Sequence, residues 1–220
     1  MTIEQRQDHA ESLLRAAGIL PVVTVDGVDQ ARRLADALLE GGLTSIELTL
    51  RTPVAMEALG ALKRALPAIV IGAGTVLDAA QIRQSIDAGA DFLVTPGTPP
   101  ALADALAAAP VPVVPGGATP TEFLALAARG FRVCKLFPAT AVGGIAMLKG
   151  LAGPLAGLRF CPTGGIGEDN AAEFLSQPNV LCVGGSWMVP KAWLDQGDYG
   201  RVREAAARAA ALVAGVRAAA

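Results

Sequence analysis

The chain has 220 residues, of which 52% are hydrophobic and 17% are charged, and its formal net charge is −2. This length and composition are typical of one large globular domain with an extensive apolar core. The small negative charge argues against a nucleic-acid partner and against an anionic membrane surface, because both require a basic face on the protein.

The cysteine and histidine content limits the possible metal and redox sites. Cys134, Cys161 and Cys182 each lie within a predicted strand and form no CxxC pair, so we interpret them as buried, reduced side chains. His9 is the single histidine, which excludes a His-rich metal site. Acidic residues within positions 1–18 do not fit a secretory signal, and no apolar run approaches the ~20 residues of a membrane span. We therefore expect a cytoplasmic protein with no membrane partner.

Strand-like apolar runs alternate with helical patterns along the chain. The predicted strands are Ile19–Val25, Ser45–Leu50, Ala68–Gly72, Asp91–Thr95, Val111–Pro115, Phe131–Phe137, Leu158–Pro162 and Val180–Gly184. The predicted helices include Val28–Glu40, Val54–Leu66, Ala79–Ala88, Pro99–Ala108, Pro120–Arg129, Asp169–Ser176 and an Ala-rich closing helix over Val202–Ala220. Three Thr-Pro pairs, at Thr52, Thr98 and Thr119, predict helix starts with a hydroxyl at the N-cap and proline at the first helical position.

Alternation of apolar strands with helices predicts an α/β fold with a parallel sheet that is covered by helices. Eight such units in 220 residues favour a single (β/α)8 TIM barrel over residues 1–220, with flanking N- and C-terminal helices. A doubly wound open sheet is the alternative, but it would want a glycine-rich dinucleotide turn after the first strand. The segment Val25-Asp26-Gly27-Val28 is not such a turn.

The sixth predicted strand carries an unusual residue, Lys135. An unpaired ammonium is costly to bury, and a desolvated neutral amine is a nucleophile towards carbonyl carbon, so this position suggests a Schiff base. Alternation in the second predicted strand turns Glu47 into the barrel as well, because Ile46, Leu48 and Leu50 form the face towards the helices. We expect Lys135 and Glu47 to converge as nucleophile and acid–base group. A lysine that reaches solvent from a strand end, or a purely structural ion pair, remains the alternative.

Further unusual residues lie where predicted strands end, which is the catalytic face of a barrel. Arg51 follows Glu47 by four residues, and its planar guanidinium suits a carboxylate, although a solvated surface charge is the simpler interpretation. Thr163-Gly164-Gly165 and Gly184-Gly185-Ser186 end the last two predicted strands, where barrels often bind phosphate through backbone N–H groups. Glycines that only permit tight turns are the alternative.

With these residues placed, the chain resembles the 2-keto-3-deoxy-6-phosphogluconate (KDPG) / 4-hydroxy-2-oxoglutarate aldolase family, whose KDPG aldolases are class I (Schiff-base) enzymes of the Entner–Doudoroff route. The motifs that carry the resemblance are Ile46-Glu47-Leu48-Thr49-Leu50-Arg51-Thr52, Gly72-Ala73-Gly74-Thr75-Val76, Leu93-Val94-Thr95-Pro96-Gly97, Lys135-Leu136-Phe137-Pro138-Ala139, Phe160-Cys161-Pro162-Thr163-Gly164-Gly165-Ile166 and Gly184-Gly185-Ser186-Trp187. They occur in order from the second predicted strand to the eighth.

Together, the resemblance and the residues imply cleavage of KDPG to pyruvate and glyceraldehyde 3-phosphate, with Lys135 as nucleophile and Glu47 as general base and acid. The substrate carboxylate would be held by Arg51, Thr75 and Thr163. The phosphate would be held by Gly164, Gly165, Gly184, Gly185 and Ser186, and the pocket walls would be Pro96 and Phe137. No metal or other cofactor is expected, since the iminium serves as the electron sink. The resemblance also implies a homotrimer.

Two other functions stay open at this point. One is a related aldolase that acts mainly on 4-hydroxy-2-oxoglutarate or on the 6-phosphogalactonate epimer of KDPG. The other, which differs in class, is a non-catalytic barrel that binds a phosphate ligand and in which Lys135 only forms an ion pair. Trapping with borohydride in the presence of pyruvate separates an imine-forming enzyme from a binder.

Overall fold

The computed structural model describes residues 1–218, and strands and helices alternate along most of this length. The strands are β1 (Ile19–Val23), β2 (Ser45–Thr49), β3 (Val70–Gly74), β4 (Phe92–Val94), β5 (Val113–Val114), β6 (Gly116–Gly117), β7 (Val133–Leu136), β8 (Arg159–Pro162) and β9 (Val183–Gly185). The helices are α1 (Ile3–Ala17), α2 (Val28–Glu40), α3 (Ala55–Ala65), α4 (Ala79–Asp87), α5 (Pro100–Ala107), α6 (Pro120–Ala127), α7 (Gly144–Ala152), α8 (Ala171–Leu175), α9 (Lys191–Asp195) and α10 (Tyr199–Ala218).

All of the paired strands are parallel, as the strand–helix alternation predicts. They form a six-stranded sheet in the order β5-β4-β3-β2-β1-β9 and a three-stranded sheet in the order β6-β7-β8. Only Pro115, which has no backbone N–H, separates β5 from β6, and an isolated parallel bridge joins Thr163 after β8 to Gly184 in β9. The result is an α/β fold in which the parallel strands curl around a shared interior.

Side chains on the inner face of the strands form one buried cluster, which includes Leu20, Phe92, Val133 and Cys182. A larger cluster lies between the outer faces of the strands and the helices. This two-layer arrangement follows from strand periodicity, because alternate residues point to opposite faces. The inner layer leaves little room for charged groups, so Glu47 and Lys135 are conspicuous within it.

The first helix, α1, covers the amino-terminal end of the strands. Its Ala10 and Leu14 belong to the inner cluster. Gln7 is buried, donates from Nε2 to the Val113 carbonyl at 2.9 Å, and accepts at Oε1 from the backbone N–H groups of Arg132 and Val133. One amide side chain therefore ties α1 to β5 and β7, and it closes the end of the molecule opposite the candidate site.

Several predicted boundaries are wrong in informative ways. The third strand is Val70–Gly74, not Ala68–Gly72, so the Gly-Ala-Gly segment is the end of a strand and not the turn after it. The eighth predicted strand, Val180–Gly184, corresponds to β9, which begins later, at Val183. The closing helix begins at Tyr199, and its predicted last residues, 219–220, lie outside the described residues.

The capping predictions have mixed outcomes. Thr119 forms the predicted N-cap of α6, with a complete capping box to Glu122. The predictions at Thr52 and Thr98 are wrong, because their hydroxyls donate to the carbonyls of Val25 and Gly116, and so link strand ends. The N-caps of α3 and α5 are instead Val54 and Pro99, so two of these three threonines bond to distant carbonyl acceptors and not to the N–H donors of a helix start.

The three cysteines are free and buried. Burial raises the pKa of the Cys134 thiol to about 12. Burial also raises the pKa of Cys182, and the neighbouring Cys161 thiol and the negative Glu47 carboxylate raise it further. The Cys134 and Cys182 thiols are therefore protonated apolar side chains of the interior. Separately, no helix within residues 1–218 has the length and apolar character needed to cross a bilayer.

Candidate active site

Lys135 and Glu47 meet in the interior that the parallel strands curl around. Lys135 lies in β7, where it shares the inward face with Val133, and Glu47 is the central residue of β2. The Lys135 Nζ atom lies 2.9 Å from Oε1 of Glu47 and 3.2 Å from Oε2. The two residues are 3% and 1% exposed. The structure thus brings together an amine and a carboxyl group that can exchange a proton directly, in surroundings with little water.

The position of the Glu47 carboxylate depends on Gly74 at the end of β3. A Cβ atom at Gly74 would lie 2.4 Å from the Glu47 Oε1 atom, closer than van der Waals contact permits. The carboxylate therefore packs directly against the backbone of β3. On the other side of the pair, the Lys135 Nζ atom lies 5.3 Å from the centre of the Phe137 ring, within the range of a cation–π interaction.

Replacing Gly74 with alanine is expected to displace the Glu47 carboxylate without unfolding the protein, because the obstructing atoms belong to a side chain that can rotate. A displacement of about 1 Å in a reacting group costs up to about 10²-fold in rate. The measurement is kcat for the aldol cleavage that the family resemblance predicts, together with the melting temperature. Gly150→Ala in α7 is the matched control, since a Cβ there would meet no atom within 4 Å. Unchanged kcat in Gly74→Ala would contradict the need for this packing.

Arg51 and Thr75 lie side by side after the ends of β2 and β3. The Arg51 Nε atom donates to the Thr75 hydroxyl at 3.1 Å. Thr75 has a φ of 61°, in the left-handed region that β-branched residues rarely adopt. This conformation places the Thr75 hydroxyl beside the guanidinium. The remaining face of the Arg51 side chain borders the cavity that contains Lys135.

The two glycine-rich turns predicted to bind phosphate lie next to each other. Gly164 and Gly165 have φ values of 101° and 74°, which favour glycine, so the turn after β8 could not be made by most other residues. Gly184 approaches Thr163 so closely that a Cβ would lie 2.3 Å from the Thr163 hydroxyl oxygen. The bridge between Thr163 and Gly184 holds the two turns together.

These residues surround a cavity of about 210 Å³. Of the predicted site residues, the ones that line it are Arg51, Lys135, Phe137, Thr163, Gly164, Gly165, Gly185 and Ser186. Four others do not: Glu47 lies beneath Lys135, Thr75 is behind Arg51, Gly184 backs Thr163, and Pro96 borders neither this cavity nor the adjoining one.

The cavity is also lined by Val22 and Ile166, two residues with no role predicted from the sequence. Val22 could have been found from the alternation of β1, since it lies on the same face as Leu20. A larger groove, of about 450 Å³, lies between α5 and α6, but it contains neither Lys135 nor Glu47. The chemical groups thus select the smaller cavity.

The charge at the cavity suits an anionic ligand. Arg51 and Lys135 both line it, and the Glu47 carboxylate that balances Lys135 lies beneath the surface.

Across residues 1–218, no group of three or more His, Cys, Asp or Glu side chains is arranged to hold a metal ion.

Comparison with known proteins agrees with the motifs. The family model described as KDPG and KHG aldolase matches residues 10–205. The 2-dehydro-3-deoxy-phosphogluconate aldolase of Pseudomonas aeruginosa is 45% identical over 200 residues, which cover 91% of each chain. The chain belongs to the KDPG and KHG aldolase family. The predicted resemblance is therefore confirmed.

Other members of the KDPG and KHG aldolase family extend this comparison. The KHG/KDPG aldolase of Escherichia coli strain K12 is 40% identical, over 91% of this chain and 94% of that protein. A KDPG aldolase from Legionella pneumophila, solved with pyruvate captured as a covalent carbinolamine intermediate, superimposes with a TM-score of 0.88 at 39% identity. It covers 90% of this chain and 96% of that one. The aldolase family thus includes a protein whose structure holds a covalent pyruvate adduct.

Proposed function

We propose that the protein is a carbon–carbon lyase, a class I aldolase that cleaves KDPG to pyruvate and glyceraldehyde 3-phosphate through a Schiff base on Lys135. The observation that carries the proposal is the buried contact of 2.9 Å between Lys135 Nζ and Glu47 Oε1 at the base of an anion-suited cavity. The names of the relatives and the covalent pyruvate adduct in the Legionella pneumophila aldolase support it. The direct test is pyruvate formation from KDPG.

The reaction begins at the amine. The neutral Lys135 amine attacks the C2 ketone of the substrate to form a carbinolamine, in which the ketone oxygen becomes a hydroxyl. Loss of water gives an iminium, whose positive nitrogen can accept the electrons of the C3–C4 bond. The Phe137 ring near Lys135 Nζ favours this cationic state.

Glu47 then moves the protons of the cleavage step. It accepts the proton of the C4 hydroxyl, directly or through one water, while the C3–C4 bond breaks and the aldehyde leaves. The enamine that remains is protonated at C3 by the same carboxyl group. Hydrolysis of the resulting iminium releases pyruvate and restores the Lys135 amine.

The substrate carboxylate is assigned to Arg51 and Thr163, with Thr75 supporting Arg51 through its hydroxyl. The planar guanidinium can form two parallel hydrogen bonds to a carboxylate, and this fixes the C2 carbonyl above Lys135. Phe137 forms one apolar wall of the cavity. Pro96 is assigned to the wall by the family resemblance alone.

The phosphate is assigned to the turn after β8, which presents Gly164 and Gly165 to the cavity, and to the end of β9, which presents Gly185 and the following Ser186, with Gly184 immediately behind. Backbone N–H groups of such turns bind phosphate oxygens at this end of a barrel. The Ser186 side chain is exposed at the cavity and can donate its hydroxyl proton to the phosphate.

Ser186→Ala is expected to weaken catalysis on phosphorylated substrates only. A hydrogen bond to a charged group contributes about 1.5–3 kcal/mol, which corresponds to a loss of roughly 10- to 100-fold in kcat/KM. Imine formation with pyruvate should be unchanged, because pyruvate has no phosphate. The measurement compares kcat/KM on KDPG with kcat/KM on an unphosphorylated substrate. The control variant is Ser176→Ala, at an exposed serine in the segment after α8. Equal losses on both substrates would place the phosphate elsewhere.

The related aldolase activities are the second candidate, since the Escherichia coli relative is named for both KHG and KDPG. An assay of KDPG, its 6-phosphogalactonate epimer and 4-hydroxy-2-oxoglutarate side by side ranks the three substrates. A non-catalytic binder would give no covalent adduct with pyruvate and borohydride.

We also propose that the two sheets form one closed (β/α)8 barrel. Two contacts support closure: the Lys135 N–H in β7 donates to the carbonyl of Pro115, the residue shared by the ends of β5 and β6, and the Thr163–Gly184 bridge joins β8 to β9. The homotrimer and the cytoplasmic location are proposals that rest on the family resemblance. Sedimentation velocity tests the trimer.

A further inference from the structure

A second cavity, of about 390 Å³, adjoins the first at the carboxyl ends of the strands. We call it the vestibule. Its lining includes Val22, Arg51 and Ser186, which also line the first cavity, together with Thr24, Asp26 and Lys191. A ligand in the first cavity that extends past Ser186 would therefore enter the cavity that Thr24 lines. The proposed catalytic, carboxylate-binding and phosphate-binding groups do not include Thr24, Asp26 or Lys191.

The hydroxyl of Thr24 has a defined hydrogen-bond direction. The Thr49 hydroxyl lies 2.9 Å from the Val23 carbonyl oxygen, which can only accept, so Thr49 spends its single proton there. Thr24 and Thr49 are also hydrogen-bonded to each other, with their Oγ1 atoms 2.8 Å apart. Since the Thr49 proton is already used, Thr24 must donate in this second bond.

Thr24 is exposed at the vestibule, and it can offer a ligand there only the lone pairs of its hydroxyl oxygen. Such a group recognises a hydrogen-bond donor. It does not favour a phosphate or carboxylate oxygen. Because Thr49 is buried, its hydroxyl keeps its bond to the Val23 carbonyl, and Thr24 therefore remains the donor in the Thr24–Thr49 hydrogen bond.

The charged residues of the vestibule lining are Asp26, Lys191 and Arg51. Lys191 is bound to Asp26 at 2.6 Å and to Asp195 at 2.9 Å, so the Asp26 carboxylate faces the vestibule with a cation beside it. Arg51 supplies a second cation to the lining. A neutral hydroxyl of an anionic substrate is therefore the donor that best fits Thr24.

We propose that Thr24 is a specificity-determining residue that accepts a hydrogen bond from the hydroxyl on the aldehyde half of the substrate. This inference rests on the proposed aldolase function. Glyceraldehyde 3-phosphate carries such a hydroxyl between its aldehyde and its phosphate carbon. Glyoxylate, the aldehyde released from 4-hydroxy-2-oxoglutarate, has none. Thr24 thus favours KDPG over 4-hydroxy-2-oxoglutarate by a contact that is separate from the phosphate turns.

The test removes the two partners of this bond separately and together. Wild-type protein and Thr24→Val are assayed in the synthesis direction with pyruvate and either D-glyceraldehyde 3-phosphate or 3-oxopropyl phosphate, which is the same aldehyde without the hydroxyl. Thr24→Val should lower kcat/KM for glyceraldehyde 3-phosphate by about two- to tenfold, the value of one neutral hydrogen bond. It should leave 3-oxopropyl phosphate unchanged, so the ratio of the two aldehydes falls.

Two control variants separate the hydroxyl from general structure. Thr24→Ser keeps the hydroxyl and should restore the wild-type ratio. Thr52→Val removes a hydroxyl that bonds to the Val25 carbonyl and lines neither cavity, so it should leave the ratio unchanged. Because the result is a ratio, a general loss of stability in any variant cancels.

Equal losses on both aldehydes in Thr24→Val overturn the role of Thr24 and leave the aldolase function standing. Wild-type protein that forms no product from pyruvate and either aldehyde overturns the aldolase function, and the role of Thr24 with it.

Discussion

Lys135→Arg is expected to abolish aldol cleavage and covalent trapping of pyruvate by borohydride. A guanidinium carries its charge at any accessible pH and cannot form the iminium, so the electron sink of the reaction is lost. Lys135 is also the one lysine of the chain within a predicted strand, and its Nζ atom is buried against Glu47. The expected loss is complete within the detection of the assay.

Two further variants make this result interpretable. Lys135→Met removes the amine from a buried position without adding volume, and its circular dichroism shows whether loss of activity accompanies loss of fold. Lys149→Arg, at an exposed position of α7, should retain full activity. Substantial turnover in Lys135→Arg or Lys135→Met would remove Lys135 from the mechanism.

Glu47→Gln is expected to leave imine formation intact while it slows both C–C cleavage and exchange of the pyruvate methyl protons. General acid–base groups contribute about 10²–10⁴-fold, so the decrease should be of this size. The amide keeps the shape of the side chain and can still accept a hydrogen bond from Lys135, but it cannot take up a proton. The fold should survive, because the residue still fits against Gly74.

A purely electrostatic role of Glu47 makes the opposite prediction. If Glu47 only balances the charge of Lys135, its removal favours the neutral amine, and imine formation and cleavage would persist or accelerate together. Borohydride trapping and methyl-proton exchange, measured on the same sample, distinguish the two roles. Glu57→Gln in the first turn of α3 is the surface control. Fast exchange in Glu47→Gln would exclude the carboxylate as the proton-transfer group.

The alternation of residues along the strands correctly predicted which side chains point into the interior. Aliphatic residues on one face of the second strand required Glu47 to point inwards, and the same periodicity turned Lys135 towards it across the interior. The parallel α/β class follows from the order of strands and helices alone. Position along the strands also brought the two glycine turns to one end of the sheet.

What the sequence could not predict depends on contacts between segments that are distant along the chain. Gly74 looked like part of a turn, but it is the strand residue that makes room for the Glu47 carboxylate. Thr52 and Thr98 matched a local capping pattern, yet carbonyls of other strands compete for their hydroxyls. The hydrogen-bond direction of Thr24 follows only from the bond that the Thr49 hydroxyl donates to the Val23 carbonyl. In each case the interpretation depends on the atom that the residue contacts, and a local sequence pattern does not identify that atom.

The pairing of β1 with β9 has a consequence for synthesis on the ribosome. β1 is made early and finds β2 soon afterwards, but its other edge pairs through Ile19 with Val183. At roughly 5–20 residues per second, that edge stays uncovered for on the order of ten seconds or more while the rest of the chain emerges. An unpaired apolar edge is a template for association with other chains. The nascent protein thus passes through a period in which its earliest strand has an unpaired edge, and this period ends only after β9 has been translated.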